Sequence, residues 1–329
     1  MSDHPNIHTR VGRGAQMPSA MMGEDEMTCF ASGLLMPEGP IAQPDGGLIL
    51  VEVLGGRLSR LGPDGARTTL ADLGGGPNGA AIGPDGRIYV CNNGGFKKMI
   101  LPDGGLLPVE APLDTPPGAI QVVDPATGTF ETLYASTEAT PFWGPNDLVF
   151  DETGGFWFTD FGRDRGAARM RGGLYYAKAD GSDIRLAAGP LDGANGVGLS
   201  PDGRTLYVAL TYEAHLLRYR LSAPGMIDTA ASPTPDGHSI VGRAGPGQFL
   251  DSLAVDSAGR ICCASPGQGA ILIFPPEGGT PQQIETGDFL TTNICFGGKD
   301  GRVAFVTLGS SGKVICIDWD APGLPLAFG

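Results

Sequence analysis

Hydrophobic positions in this chain come in short alternating runs broken by glycine-rich turns, as in Gly193-Ala-Asn-Gly-Val-Gly-Leu-Ser-Pro-Asp-Gly-Arg-Thr-Leu-Tyr-Val-Ala209. The pattern reads strand, tight turn, strand, and no helical period separates the copies. One polar position keeps phase with it. Eight residues before the turn glycine stand Glu38 (before Gly46), Asn78 (Gly86), Asn146 (Gly154), Asn195 (Gly203), Asp251 (Gly259) and Asn293 (Gly301). Six such copies predict an all-β fold, a six-bladed β-propeller with four antiparallel strands per blade. The blades are expected at 34–72, 73–134, 135–187, 188–242, 243–285 and 286 to the end. The last blade lacks an outermost strand, and Met27–Ser32 is expected to supply it, joining the two ends of the ring.

Rotation about one axis brings equivalent positions to the same height. The six polar residues are therefore expected to ring one mouth of the central channel. Taken singly, each Asn or Asp also suits a turn or a backbone amide; six in fixed phase favour a functional ring. Three connections exceed the minimum, at about 94–118, 161–172 and 211–238, and the first two are expected to rise on the face of the ring. Trp143, Phe161 and Tyr212 are candidate walls of a substrate pocket, with Phe96 beside them.

Length and composition narrow the class. A chain of 329 residues with 54 glycines, 28 prolines and 41% hydrophobic content suits one closed β domain rather than disorder. Residues 1–24 read as an N-terminal tail without the apolar run of a secretory signal, and 25–329 as a single propeller domain. No stretch suits a membrane span. A formal charge of −14 argues against a nucleic-acid partner. The six cysteines, Cys29, Cys91, Cys262, Cys263, Cys295 and Cys316, lack metal or redox spacing and suit unpaired thiols in a cytoplasmic protein.

The ring residues are oxygen donors. Two carboxylates, Glu38 and Asp251, with the amides of Asn146 and Asn195, would neutralise one divalent cation and leave positions for water and substrate. None of the four histidines falls in the ring, so calcium suits the set better than zinc, although oxygen-only sites also take Zn²⁺ or Mn²⁺. Gly309-Ser-Ser-Gly-Lys313 ends in Val314 where a phosphate loop needs Ser or Thr, and reads as a hairpin turn. No Gly-x-Ser-x-Gly elbow is present.

At Pro37-Glu-Gly-Pro40, Gly144-Pro-Asn-Asp-Leu-Val-Phe-Asp-Glu-Thr-Gly-Gly-Phe-Trp-Phe-Thr-Asp160, Ala194-Asn-Gly-Val-Gly-Leu-Ser-Pro-Asp-Gly203 and Asp251-Ser-Leu-Ala-Val-Asp-Ser-Ala-Gly259, the chain resembles the senescence marker protein, gluconolactonase and luciferin-regenerating enzyme-like family. The resemblance runs from about residue 28 onward. It implies a six-bladed propeller holding one divalent ion on Glu38, Asn195 and Asp251, with Asn146 beside the metal or ligating it. Members of the gluconolactonase type often carry an arginine two residues before that asparagine; here the position is Gly144. A lactone or ester less polar than a sugar lactone is the expected substrate. Metal-assisted hydrolysis would use Asp251, or Glu38, as general base, with Asn78, Asn146 and Asn293 contacting substrate. Hydrolysis of phosphotriesters on the same cation, and a non-catalytic propeller binding a protein, are the alternatives.

Overall fold

The computed structural model describes residues 27–109, 114–137 and 140–329; the expected tail, with His4 and His8, lies outside them. Among the described residues every element is a strand except two single 3-10 turns. Strand β1 (Met27–Ala31) comes first, then blade one with β2 (Pro37–Ala42), β3 (Leu48–Glu52), β4 (Arg57–Leu61) and β5 (Arg67–Asp72). Blade two holds β6 (Pro77–Ile82) and β7 (Ile88–Asn92). After an inserted hairpin of β8 (Lys97–Ile100) and β9 (Leu106–Val109), it closes with β10 (Ala119–Val123) and β11 (Phe130–Tyr134). Blade three, β12 (Pro145–Phe150), β13 (Gly155–Asp160), β16 (Gly172–Lys178) and β17 (Ile184–Leu191), carries the hairpin β14 (Arg163–Arg165) and β15 (Ala168–Met170) at the same place.

Blade four has β18 (Ala194–Leu199), β19 (Thr205–Leu210), β20 (His215–Ala223) and β22 (His238–Arg243), with the two-residue β21 (Met226–Ile227) added on β20. It is thus five-stranded, where four were expected. Blade five is β23 (Leu253–Val255), β24 (Ile261–Ser265), β25 (Ala270–Phe274) and β26 (Gln282–Glu285). Blade six is β27 (Thr291–Gly297), β28 (Val303–Leu308) and β29 (Lys313–Asp318), and β1 pairs antiparallel with β29 as its fourth strand. The ring is closed by both ends of the chain, as expected from the sequence.

The six turn glycines explain the repeat. Gly46, Gly86, Gly154, Gly203, Gly259 and Gly301 all have φ between 65° and 88°, where a side chain is strained. Each turn is closed by a backbone bond from the glycine amide to the carbonyl three residues earlier, at 2.9 to 3.3 Å. Burial then follows from alternation. One apolar cluster fills each gap between neighbouring blades, from Ile41, Val51 and Val90 between blades one and two to Leu48, Leu50 and Phe305 between six and one. The inner strands pack in sequence β2, β6, β12, β18, β23, β27 and back to β2.

One connection differs from expectation. β20 occupies 215–223, so the stretch 211–238 is not a loop; only residues 211–214 turn on the ring face, and the longer connection, 224–237, lies at the other end of the blade. The turn at 309–312 joins β28 to β29, as a hairpin. None of the six cysteines is in a disulfide. Among the described residues no helix is long and apolar enough to cross a membrane.

Candidate active site

The ring residues sit where the inner strands begin. Glu38, Asn78, Asn146 and Asn195 are each second in their strand, Asn293 is third in β27, and Asp251 lies two residues ahead of β23. In five of these strands the pairing with the next strand slips at this point, between Glu38 and Ile41, Pro77 and Ala80, Pro145 and Leu148, Ala194 and Val197, and Thr291 and Asn293. Such a bulge breaks the alternation and re-aims a side chain. Small residues let the blades close up beside it. A Cβ on Gly39 would meet the Asn78 carbonyl at 2.6 Å, on Gly79 the Asn146 carbonyl at 2.6 Å, and on Gly196 the Asp251 carbonyl at 2.7 Å.

In blade three that offset carries Asp147 instead of glycine, and it adds a third carboxylate to the centre. Asp147 is not among the six phased positions, and its one sequence signal is the glycine at the same offset in three other blades. Buried hydroxyls tie the blades together at this level. Thr159 Oγ1 accepts from the Asp147 amide at 3.2 Å and donates to the Asn195 carbonyl at 2.5 Å in the next blade. Thr292 Oγ1 donates to the carbonyl of Pro37, one residue before Glu38, at 3.1 Å.

Electrostatically the centre is unbalanced. Glu38 is 2% exposed, and its Oε2 accepts from the Gly39 amide and from Asn293 Nδ2, both at 2.6 Å. Burial, then the charges of Asp251 and Asp147, hold its carboxyl well above the usual range against those two donors. Burial pushes Asp147 up to about 7. Burial and the Asp147 charge push Asp251 up as well, opposed by Asn195 and the Ser252 amide. Among the described residues no lysine or arginine pairs with or shifts these three carboxyls.

The structure turns Asn293 toward Glu38, since its Oδ1 accepts from the Ile294 amide at 2.7 Å while its Nδ2 donates to the carboxylate. Asn78, also buried, makes no side-chain hydrogen bond among the described residues. Asn146 Oδ1 is buried with no hydrogen-bond partner. Among the described residues no three His, Cys, Asp or Glu side chains form a metal-ligating group, so any cation here draws on amides too. The donor set fits one: clustered carboxylates without a basic partner and an orphaned amide oxygen are what a hard cation satisfies.

The expected wall residues lie in the connections at the ring end of blades three and four. Phe161 and Tyr212 lie 5.3 Å apart between ring centroids, with the Arg169 guanidinium over both, at 5.2 and 4.7 Å. Arg165 lies over Trp143 at 5.4 Å. The β8–β9 hairpin reaches blade six, where the Leu106 amide donates to the Ser310 carbonyl at 2.8 Å, so it passes blade one on the ring face. Gly144 is pinned below these walls, its amide on Asp160 Oδ1 at 2.8 Å, and a Cβ there would lie 2.7 Å from the Gly162 carbonyl. Any side chain at this position would force the Gly162 backbone to shift. Beyond the ring, from Gly39, Asp147 and Asn293 downward, the channel widens into a cavity of about 930 Å³. The C-terminal segment crosses its far end, from the Leu324 amide on Val255 in blade five to Phe328 edge-on to Phe150 in blade three.

Comparisons with known proteins agree with this architecture. The profile of the SMP-30/Gluconolactonase/LRE-like region matches residues 36–310. The lactonase drp35 of Staphylococcus saprophyticus is 33% identical over 257 residues, 76% of this chain and 69% of the relative. Among solved structures, a gluconolactonase from Xanthomonas campestris superposes with a TM-score of 0.69 at 21% identity, covering 89% of each chain. Regucalcin from Agrobacterium tumefaciens, described as a calcium-binding protein, does so with a TM-score of 0.67 at 19% identity, covering 90% of this chain and 99% of its own. At these identities the two structures speak for the fold.

Proposed function

Since the chain belongs to the SMP-30/gluconolactonase/LRE-like family, we propose that it is a lactone hydrolase whose ring holds one divalent cation on Glu38, Asn146, Asn195 and Asp251. The observation that carries this is the buried, unpartnered Asn146 Oδ1 in a ring whose carboxylates have no basic counter-ion among the described residues. Oxygen donors favour calcium over Zn²⁺ or Mn²⁺, and the calcium-binding regucalcin relative supports the same choice. The cation would polarise the ester carbonyl and stabilise its developing oxyanion.

The chain's own groups do the rest. Asp251 is partly exposed, whereas Glu38 is enclosed and spent on two donors. Asp251 is therefore the candidate base for the attacking water; a bound cation would lower the proton affinity that burial raises, so Asp251 would take the proton as a ligand partly detached from the cation. Glu38 is held in place by Asn293 and the Gly39 amide, and a bound cation would keep it an anion. Asn78, with its amide uncommitted, orients the substrate together with Asn146. Trp143, Phe161 and Tyr212 form an aromatic wall, and Gly144 leaves out the sugar-binding arginine, so the substrate is a lactone or ester less polar than a sugar lactone.

Proton release from aldonolactones and from aliphatic and aromatic lactones, before and after chelation and with Ca²⁺, Zn²⁺ or Mn²⁺ restored, tests the reading. Chelator-sensitive hydrolysis, best on the less polar lactones and restored by Ca²⁺, is expected. No turnover of any lactone by the calcium-loaded protein would sink it and send the search to phosphotriesters. Asp251→Asn with full activity would remove that residue from the base role.

A further inference from the structure

Thr211 sits in the turn after β19 with one hydroxyl between two blades. Its Oγ1 donates its single proton to the Leu250 carbonyl at 2.7 Å, one residue before Asp251 in blade five. With that proton spent, Oγ1 can only accept on its other side. There it takes a hydrogen from Asn195 Nδ2 at 3.1 Å. The Nδ2 end of the Asn195 amide is thus held on Thr211. Its Oδ1 is left with Ser252 Oγ at 3.5 Å, the outer limit of a hydrogen bond.

We propose that Thr211 is a positioning residue: its hydroxyl fixes the orientation of the Asn195 amide so that Oδ1 is the atom offered to a cation, and it ties Asn195 to the peptide that carries Asp251. This rests on the reading of the ring as a cation centre. A flipped amide would set Oδ1 against a hydroxyl lone pair and Nδ2 toward the Ser252 hydroxyl that now points at Oδ1. Removing the Thr211 hydroxyl takes away the shorter of the two contacts that decide the orientation. The same hydroxyl also spans blades four and five, as Thr159 spans three and four.

The test is calcium titration by calorimetry of the metal-free wild type, Thr211→Val and Thr211→Ser, with circular dichroism and melting of each metal-free form to show an intact fold. Valine keeps the shape and loses the hydroxyl; serine keeps the hydroxyl. Partners that orient metal ligands are typically worth about 10- to 100-fold in affinity, so valine should weaken binding by about that factor while serine stays within about threefold. Valine binding calcium as tightly as wild type, or serine failing as badly as valine, would overturn the proposal. A wild type that binds no calcium would overturn it together with the reading of the ring, whereas a wild type that binds with an unaffected valine variant sinks only Thr211.

Discussion

Glu38 and Glu52 lie on paired strands of one blade, at 2% and 0% exposure, yet they are built in opposite ways. Arg57 binds both oxygens of Glu52 at 2.9 Å, Ser59 Oγ donates at 2.7 Å, the Leu35 amide at 2.9 Å and Arg67 at 3.2 Å. Burial pushes that carboxyl up, but these donors outweigh it and leave it below its ordinary value. Glu38 has two neutral donors and two neighbouring carboxylates, and its proton affinity rises. The buried Glu52 is surrounded by its counter-charges; Glu38 is not, and the proposed cation would supply the charge it lacks. The contrast separates scaffold from site more sharply than burial does.

The difference is open to attack at several points. The largest effect is expected from Glu38→Gln. Loss of the cation removes several kcal/mol of transition-state stabilisation, so kcat/KM for the best lactone should fall by on the order of 10³-fold, while melting shows a folded protein. Next comes pH. A carboxyl whose folded pKa is raised binds its proton more tightly folded than unfolded, so its contribution to stability is full below the unfolded value and is lost as pH rises through the folded one. The move of Asp147 from 3.8 to about 7 corresponds to about 4 kcal/mol. Denaturant unfolding of the metal-free protein should show it less stable at pH 8 than at pH 5, with calcium reversing the loss. Stability that rises with pH in the metal-free form would mean the carboxylates are already compensated.

Glu52→Gln leaves Arg57 and Arg67 without their counter-charge. Because both arginines keep some solvent, the cost should be roughly 2–4 kcal/mol in chemical denaturation, with calcium affinity unchanged in the folded protein. The smallest effect belongs to Gly144→Arg. Its Cβ would press on the Gly162 carbonyl, and overpacking of this kind costs about 1–3 kcal/mol; activity on aldonolactones should not appear, because the turn gives way before the guanidinium reaches the site. A gain of aldonolactonase activity at unchanged melting temperature would show that the position is open.

The repeat made the architecture legible, since the left-handed turn glycines and the phase of Glu38, Asn78, Asn146, Asn195, Asp251 and Asn293 are local features that rotation multiplies. The pairing of β1 with β29 was legible because blade six was visibly short of a strand. What lay outside reach depends on contacts between blades. Thr159 and Thr211 act through carbonyls 36 and 39 residues further along, and no periodicity marks them. Asp147 was hidden beside Asn146, and its burial becomes meaningful only once Gly79 is seen to pack on it. The turn of Asn293 onto Glu38 joins residues 255 apart. The stretch 211–238 read as loop because polar residues interrupt β20, whose Arg218 and Arg220 alternate with buried Leu217 and Tyr219.

Calcium calorimetry of the wild type, Glu38→Gln and Glu52→Gln, side by side after chelation, tests the central claim most directly. One equivalent bound by the wild type and by Glu52→Gln, and none by Glu38→Gln, is the predicted result. Equal binding by Glu38→Gln and wild type, or none by either, would contradict the assignment of the ring as a cation centre.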